Sequence, residues 1–173
     1  MTDQQIEQLM AEAYAAAAES PDPSSQNGAL IVSPGGQILV RECNRFPNGI
    51  EVTDELLNDR NFKYKFIEHA ERNAIYAHAC DHSFMSTEGL FMVSPWAACP
   101  DCARAIVQSR IARLYVHKQR MDITAERWAD EVSVGRAILE DGGVEIIEFD
   151  KPVRFAPDIL VSYHPWNPGY VVN

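Results

Sequence analysis

Two short segments, well separated along the chain, constrain how it can fold. His69, Ala70 and Glu71 open a stretch with helical spacing, and Cys99-Pro100-Asp101-Cys102 lies where an apolar run ends and another helical pattern begins. One histidine and two thiolates supply the three protein ligands of a catalytic zinc ion and leave a fourth position open for water. If all three bind one Zn²⁺ ion, the starts of two helices must meet at one point of the fold.

The rest of the chain alternates strands and helices around these segments. The hydrophobic periodicity predicts helices over residues 2–20, 67–80, 100–110 and 124–141, and strands over 29–32, 38–40, 90–93, 114–116 and 144–149. Pro34-Gly35-Gly36 predicts an antiparallel hairpin of the first two strands, whereas strands separated by helices favour a parallel arrangement. Residues 44–62 are expected to form a long loop.

The length of 173 residues is sufficient for one substantial core and too short for two ordinary domains. We therefore expect a single domain over residues 1–173, with its core at about 20–149 and an irregular, proline-containing tail at 151–173. The sequence contains no apolar run long enough to span a membrane, and its N-terminus lacks the pattern of a signal peptide. A cytoplasmic protein is expected.

The charge of the chain bears on its partners. A formal net charge of −10 disfavours binding to the phosphate backbone of a nucleic acid. A single phosphate needs only about two or three donors, and Arg41, Arg45, Lys63 and Lys65 flank the metal-binding segments. A small nucleotide is therefore compatible with this composition, whereas a polymer is not favoured.

The cysteines leave two enzyme classes open. Cys99 and Cys102 form a close pair that is typical of metal binding or redox chemistry in a cytosolic chain, and Cys43 and Cys80 are expected to be small buried hydrophobes. A thioredoxin-like oxidoreductase would explain the C-x-x-C motif after a strand, but not His69. A structural zinc site would need a fourth protein ligand, and no obvious candidate lies near the motif.

Two further residues are candidates for the site. Glu71 is not required as a ligand, and a carboxylate two residues beyond His69 can take a proton from a zinc-bound water and return it to a base. Trp96 has a flat ring that suits stacking on a base beside the metal ligands. A core tryptophan packed under the cysteine helix would look the same in sequence, so both interpretations of Trp96 stay open.

Several segments, in order, resemble the deoxycytidylate (dCMP) deaminases of the cytidine and deoxycytidylate deaminase superfamily. Besides the zinc motifs, they are residues 20–26 before Gly28-Ala29, Asn44-Arg45-Phe46-Pro47-Asn48-Gly49, Asp59-Arg60, Lys63-Tyr64 and Glu71-Arg72-Asn73-Ala74-Ile75. The similarity spans residues 20–116. It implies a three-layer α-β-α fold with a mixed five-stranded sheet, in which an N-terminal antiparallel hairpin precedes parallel strands.

The resemblance also implies a reaction and a site. The expected reaction is hydrolysis of dCMP to dUMP and ammonia, with Zn²⁺ on His69, Cys99 and Cys102 activating water and with Glu71 as the proton shuttle. Asn44 is implied as a contact beside the sugar, and Ala70 and Trp96 complete the expected substrate-binding set. Members of this family usually form homo-hexamers, so a homo-oligomer is expected.

Three positions depart from the family pattern. Ala98 replaces a proline that commonly precedes the first zinc cysteine, Arg110 replaces a frequent glycine, and Arg45 replaces a glycine at a position where tRNA adenosine deaminases carry arginine. The alternatives that follow are deamination of dCTP, of a modified dCMP or of adenosine in tRNA.

Overall fold

A computed structural model of the protein describes residues 1–81 and 86–170. The helices are α1 Asp3–Ala17, α2 Asp54–Asn58, α3 Arg60–Phe66, α4 Ala70–Asp81, α5 Pro100–Gln108, α6 Lys118–Asp122 and α7 Ala129–Asp141, with a 3-10 turn at Glu126–Trp128. The strands are β1 Gly28–Val32, β2 Ile38–Cys43, β3 Phe91–Val93, β4 Arg113–His117, β5 Glu145–Phe149, β6 Ile159–Val161 and β7 His164–Trp166.

The main sheet has five strands in the order β2-β1-β3-β4-β5. Strand β1 pairs antiparallel with β2 and β3, and the β3–β4 and β4–β5 pairs are parallel. Because side chains alternate across a strand, Leu30 and Val32 enter the core beneath α1, whereas Ala29 and Ile31 enter the opposite core with residues of α4, α5 and α7. The expected mixed sheet between two helical layers is confirmed.

Helix α1 belongs to the core, which therefore extends beyond the expected residues 20–149. The helix begins with the capping box that Thr2 and Gln5 form, and its buried face carries Tyr14. Gly28 allows α1 to lie close to β1, because a Cβ at this position would stand 2.0 Å from the carbonyl oxygen of Ala13. Helix α1 ends at Ala17, earlier than the expected residue 20.

The expected loop at 44–62 contains α2 and the start of α3. The side chain of Thr53 accepts a hydrogen bond from the backbone N–H of Leu56 (3.2 Å), and Asp59 caps α3 by accepting from the N–H of Asn61 (2.9 Å). Helix α4 begins at Ala70 rather than at residue 67, because the preceding Glu68 forms an isolated antiparallel bridge with Arg45. The expected helix at 124–141 is divided into the 3-10 turn and α7.

The tail is not irregular as expected, because β6 and β7 form an antiparallel hairpin within it. Ile159 is buried, and the ring of Trp166 packs against Tyr14 at 5.8 Å, so the prolines are outweighed by apolar contacts with the core. The hairpin also bonds to residues 20–26. The N–H of Gln26 donates to the carbonyl of Leu160 (2.9 Å), and the N–H of Tyr163 donates to the carbonyl of Ser24 (2.8 Å).

Three remaining expectations concern single residues and membranes. Cys43 is buried as expected, whereas Cys80 is exposed near the end of α4, so the expectation for Cys80 is wrong. Arg110 has φ of 58°, in the left-handed region that favours glycine, which is a physical reason for a glycine at this position in related chains. No helix within residues 1–81 and 86–170 has the length and apolarity that membrane crossing requires.

Candidate active site

The three expected metal ligands meet between α4 and α5. His69 directly precedes α4, Cys99 is the N-cap residue of α5, and Cys102 lies in the first turn of that helix. The Nδ1 atom of His69 is 3.4 Å from the Sγ atom of Cys99 and 3.5 Å from that of Cys102. Zinc bonds of about 2.0–2.3 Å in a tetrahedral arrangement place their ligand atoms roughly 3.5 Å apart. These residues therefore fit one zinc ion.

Helix α7 holds the backbone before Cys99 in place. Gly135 of α7 lies against it so closely that a Cβ at this position would stand 2.0 Å from the carbonyl oxygen of Ala98. Ala98 is buried in the same core as α7. The residue that replaces the family's proline is thus fixed by packing against a glycine.

The protein's own groups favour a thiolate at Cys99. A hydrogen bond with Cys102 and another with His69 lower the pKa of Cys99 to about 4, against the opposing effect of burial. The same contact with Cys99, together with burial, raises the pKa of the Cys102 thiol. A bound divalent cation favours the deprotonated form of both sulfurs.

The carboxyl group of Glu71 lies in the first turn of α4 and is 2% exposed. Burial raises its pKa to about 7, with a smaller opposing effect from His69. Its Oε2 atom has no hydrogen-bond partner among the residues that the structure describes. A carboxyl group with this pKa can both accept and donate a proton near neutral pH.

A cleft that opens to solvent lies over these groups. Its lining includes the predicted site residues His69, Ala70, Glu71, Cys99, Asn44 and Trp96, while Cys102 is completely buried and does not line it. The remaining lining residues are Asp22, Ser25, Asn27, Tyr64, Ile67, Ala97, Trp128, Glu131 and Val132. The structure therefore brings every sequence-predicted site residue to one place.

Aromatic rings form one side of the cleft. Trp96 donates a hydrogen bond from Nε1 to the hydroxyl of Thr124 (2.8 Å), and its ring stands edge-on to that of Trp128 at 6.3 Å. The guanidinium of Arg120 lies 4.4 Å from the Trp96 ring centre, and Tyr64 contacts Trp128 at 5.8 Å. Trp128 is not among the residues predicted for the site, and no spacing signal in the sequence indicates its place in the cleft.

A second wall of the cleft is formed by four residues that hydrogen bonds connect, namely Asp22, Ser25, Asn27 and Asn44. The Oδ1 atom of Asn44 accepts from the N–H of Asn27 (2.8 Å), and its Nδ2 donates to the carbonyl of Ser25 (3.0 Å). Asp22 is held by the ammonium group of Lys63 at 2.6 Å, and both side chains are almost completely buried. Asn44 thus has well-defined partners within this wall.

The cations that were expected to hold a phosphate are engaged elsewhere. Lys63 is bound to Asp22, Arg41 pairs with Glu19 at 2.8 Å, and Arg45 pairs with Glu42 at 2.7 Å. Lys65 lies over the ring of Phe62. None of the four cations belongs to the described lining of the cleft, whereas the carboxylate-bearing Glu131 does.

Comparison with known proteins places this geometry in a family. Residues 3–118 match the family described as the cytidine and deoxycytidylate deaminase zinc-binding region. A deoxycytidylate deaminase of Mus musculus is 30% identical over 150 residues, which cover 83% of this chain and 78% of that protein. An uncharacterized deaminase in the luxG 3′ region of Aliivibrio fischeri is 32% identical over 127 residues, which cover 73% of this chain and 81% of that protein.

A solved structure shares the fold. The dCMP deaminase of the cyanophage S-TIM5, in complex with dCMP and dUMP, superimposes with a TM-score of 0.65 at 24% identity and covers 86% of this chain and 98% of its own. The region matched by the family model contains the metal-binding trio and Glu71. By this match and by the geometry of its site, the chain belongs to the cytidine and deoxycytidylate deaminase family.

Proposed function

We propose that this protein hydrolyses the amino group of cytosine in a free deoxynucleotide, converting dCMP and water into dUMP and ammonia. The observation that carries the proposal is the trio of zinc ligands at one cleft with the buried carboxyl group of Glu71, whose Oε2 atom has no hydrogen-bond partner among the described residues. The relatives named deoxycytidylate deaminase support the choice of nucleotide. The net charge of −10 supports a free nucleotide over a nucleic acid.

The residues of the site divide the work of the reaction. Zinc held by His69, Cys99 and Cys102 supplies, when bound, a water of lowered pKa at its open fourth position. Glu71 accepts the proton that this water loses and delivers it to N3 of the cytosine ring. The oxygen of the water would add to C4, and a second transfer through Glu71 would move its remaining proton to the amino nitrogen, so that the C4–N bond breaks, ammonia leaves and C4 becomes the carbonyl carbon of uracil.

The substrate contacts proposed for this reaction follow from the lining of the cleft. Trp96 is held by Thr124 and Arg120, so its ring offers a rigid face for the base. Ala70 has no side chain beyond Cβ, and a base can therefore approach the start of α4 closely. Asn44 borders the cleft on the side of residues 20–26, where we place the sugar.

The proposal extends to assembly and location. A homo-oligomer, hexameric by family resemblance, is supported by exposed apolar side chains on two consecutive helices, namely Phe62 and Phe66 of α3 and Tyr76 of α4, and a cytoplasmic location remains part of the proposal. Light scattering of the purified protein measures the mass of the assembly directly.

Deoxycytidine is a second candidate substrate, and one observation favours it. The cleft presents Glu131, whereas Lys63, Arg41 and Arg45 are paired with other carboxylates. A carboxylate disfavours a nearby phosphate, while a nucleoside carries no charge that it would repel.

An ammonia-release assay separates these candidates. The substrates are deoxycytidine, dCMP, dCTP, CMP, adenosine and a tRNA that contains adenosine. We expect kcat/KM for dCMP to exceed that for deoxycytidine by at least ~10-fold, equivalent to about 1.4 kcal/mol of transition-state binding. Equal values would remove the nucleotide from the proposal, and activity confined to tRNA would assign the protein to adenosine deamination.

Two variants test the roles of the site residues. Glu71→Gln should retain zinc but lose at least ~100-fold in turnover, the usual effect of removing a general acid–base group. The Cys99→Ser, Cys102→Ser double variant should lose both zinc and thermal stability, because metal binding is coupled to folding. Full zinc content in the double variant would contradict the proposed ligand set.

A further inference from the structure

Asn27 lies at the point where three strands of the sheet meet the cleft. It directly precedes β1, and its carbonyl accepts a hydrogen bond from the N–H of Asn44, just beyond β2 (3.1 Å). Its side-chain Nδ2 donates to the hydroxyl of Ser94, just beyond β3 (3.1 Å). The position of Asn27 is therefore set by backbone and side-chain bonds to neighbouring strands.

The amide of Asn27 keeps one polar atom uncommitted. Asn27 is 9% exposed, and its Oδ1 atom is buried without a hydrogen-bond partner among the described residues. Nearly all buried polar side-chain atoms in proteins have a partner, because leaving one unpaired is costly. Asn27 lines the cleft, so a ligand that enters the cleft can supply that partner.

Asn44, on the same side of the cleft, differs in this respect. Its Oδ1 accepts from the N–H of Asn27, and its Nδ2 donates to the carbonyl of Ser25. Both ends of its amide thus have protein partners. The uncommitted amide atom of this wall belongs to Asn27.

We propose that the Asn27 side chain hydrogen-bonds a sugar hydroxyl of the substrate and thereby selects for it. This inference rests on the proposed function, which commits the cytosine amino group to Glu71 and the metal. The sugar hydroxyl is then the substrate donor that remains for Asn27. The sugar hydroxyl and the hydroxyl of Ser94 can each donate or accept a hydrogen bond. Asn27 can therefore bond both hydroxyls whichever end of its side-chain amide is turned toward the sugar.

The test compares two enzymes on two substrates. Wild type and Asn27→Leu are assayed with dCMP and with 2′,3′-dideoxycytidine 5′-monophosphate, which lacks the 3′-hydroxyl. We expect wild type to favour dCMP by about tenfold in kcat/KM, the scale of one buried hydrogen bond. In Asn27→Leu this preference should fall to less than about twofold, because the variant cannot bond the hydroxyl.

Controls distinguish a lost contact from a damaged fold. Asn58→Leu makes the same substitution at an exposed position of α2 and should keep the wild-type preference. Zinc content and melting temperature are measured for every variant, and Asn27→Ala replaces Asn27→Leu if the larger side chain prevents folding.

The outcomes separate the inference from the proposed function. An Asn27 variant that retains the tenfold preference, or a wild-type enzyme that deaminates both nucleotides equally well, overturns the Asn27 contact alone. If wild type deaminates neither nucleotide, the nucleotide assignment fails instead. The same comparison is then made with deoxycytidine and 2′,3′-dideoxycytidine, where equal preference in wild type and variant again overturns the contact.

Discussion

Acidification should destabilise the fold through His117, which ends β4 inside the core and is completely buried. The hydroxyl of Tyr14 lies 2.6 Å from Nδ1 of this ring, and the carbonyl of Lys151 lies 3.0 Å from Nε2. Trp166 and Phe149 pack around the ring. A neutral imidazole that donates from Nε2 and accepts at Nδ1 satisfies both contacts, whereas protonation would remove the acceptor.

Burial lowers the pKa of His117 from 6.5 to about 4. The carbonyl of Lys151 and the carboxylates of Asp150 and Asp122 oppose this shift, while Arg120 adds to it. Because the folded pKa is the lower one, the unfolded chain binds the proton first as pH falls. The contribution of the neutral His117 ring to the free energy of unfolding is therefore fully present above pH 6.5. As pH falls from 6.5 to about 4, this contribution decreases by roughly 1.4 kcal/mol per pH unit, about 3 kcal/mol in total.

The assay is urea unfolding at pH 8 and pH 5 with saturating zinc, for wild type and His117→Asn. At pH 8 the variant should be less stable by about 1–3 kcal/mol, because it lacks the ring that satisfies Tyr14 and Lys151. At pH 5 this gap should shrink by about 2 kcal/mol, because only wild type loses the stability that depends on a neutral ring. His164→Asn, at an exposed histidine, should follow wild type. A gap that is the same at both pH values refutes the argument.

Two further predictions concern packing and charge. Gly135→Ala should lower the free energy of unfolding by about 1–3 kcal/mol and speed the loss of zinc to a chelator, because the new Cβ would displace the backbone of Ala98. The control is Gly35→Ala, whose Cβ would meet nothing nearer than 3.8 Å, and it should change neither property. Lys63→Met should lower the free energy of unfolding in urea by about 3–5 kcal/mol, because the buried carboxylate of Asp22 loses its cation. Adding Asp22→Asn to this variant should recover part of the loss, whereas additive losses from the two substitutions would contradict the pairing.

The metal centre was predictable because its signals are local. Cys99 and Cys102 are close in sequence, and His69 with Glu71 forms a second compact motif, so only the meeting of two segments had to be inferred. The sheet followed from apolar runs that alternate with helical patterns. Successive side chains of a strand point to opposite faces of a sheet, and the neighbours Leu30 and Ile31 accordingly enter opposite cores.

Other features were missed for different physical reasons. The caps of α2 and α3, Thr53 and Asp59, are visible in the sequence, but the polar composition of the segment concealed these short helices. The pairing of Lys63 with Asp22 joins distant residues, and nothing local to either predicts it. Whether the side-chain oxygen of Asn27 has a hydrogen-bond partner depends on which bonds its neighbours form with one another. Those bonds are seen only in the three-dimensional structure.

The hairpin of β6 and β7 has a consequence for biosynthesis. During translation the metal ligands leave the ribosome well before Leu160 and Tyr163, whose backbone groups bond to Gln26 and Ser24 beside the cleft. A nascent chain can therefore bring its zinc ligands together while the wall that faces them still lacks its support. Premature termination, or proteolysis that removes this hairpin, would leave a protein that retains its candidate zinc ligands but lacks the backbone bonds that Leu160 and Tyr163 make to Gln26 and Ser24.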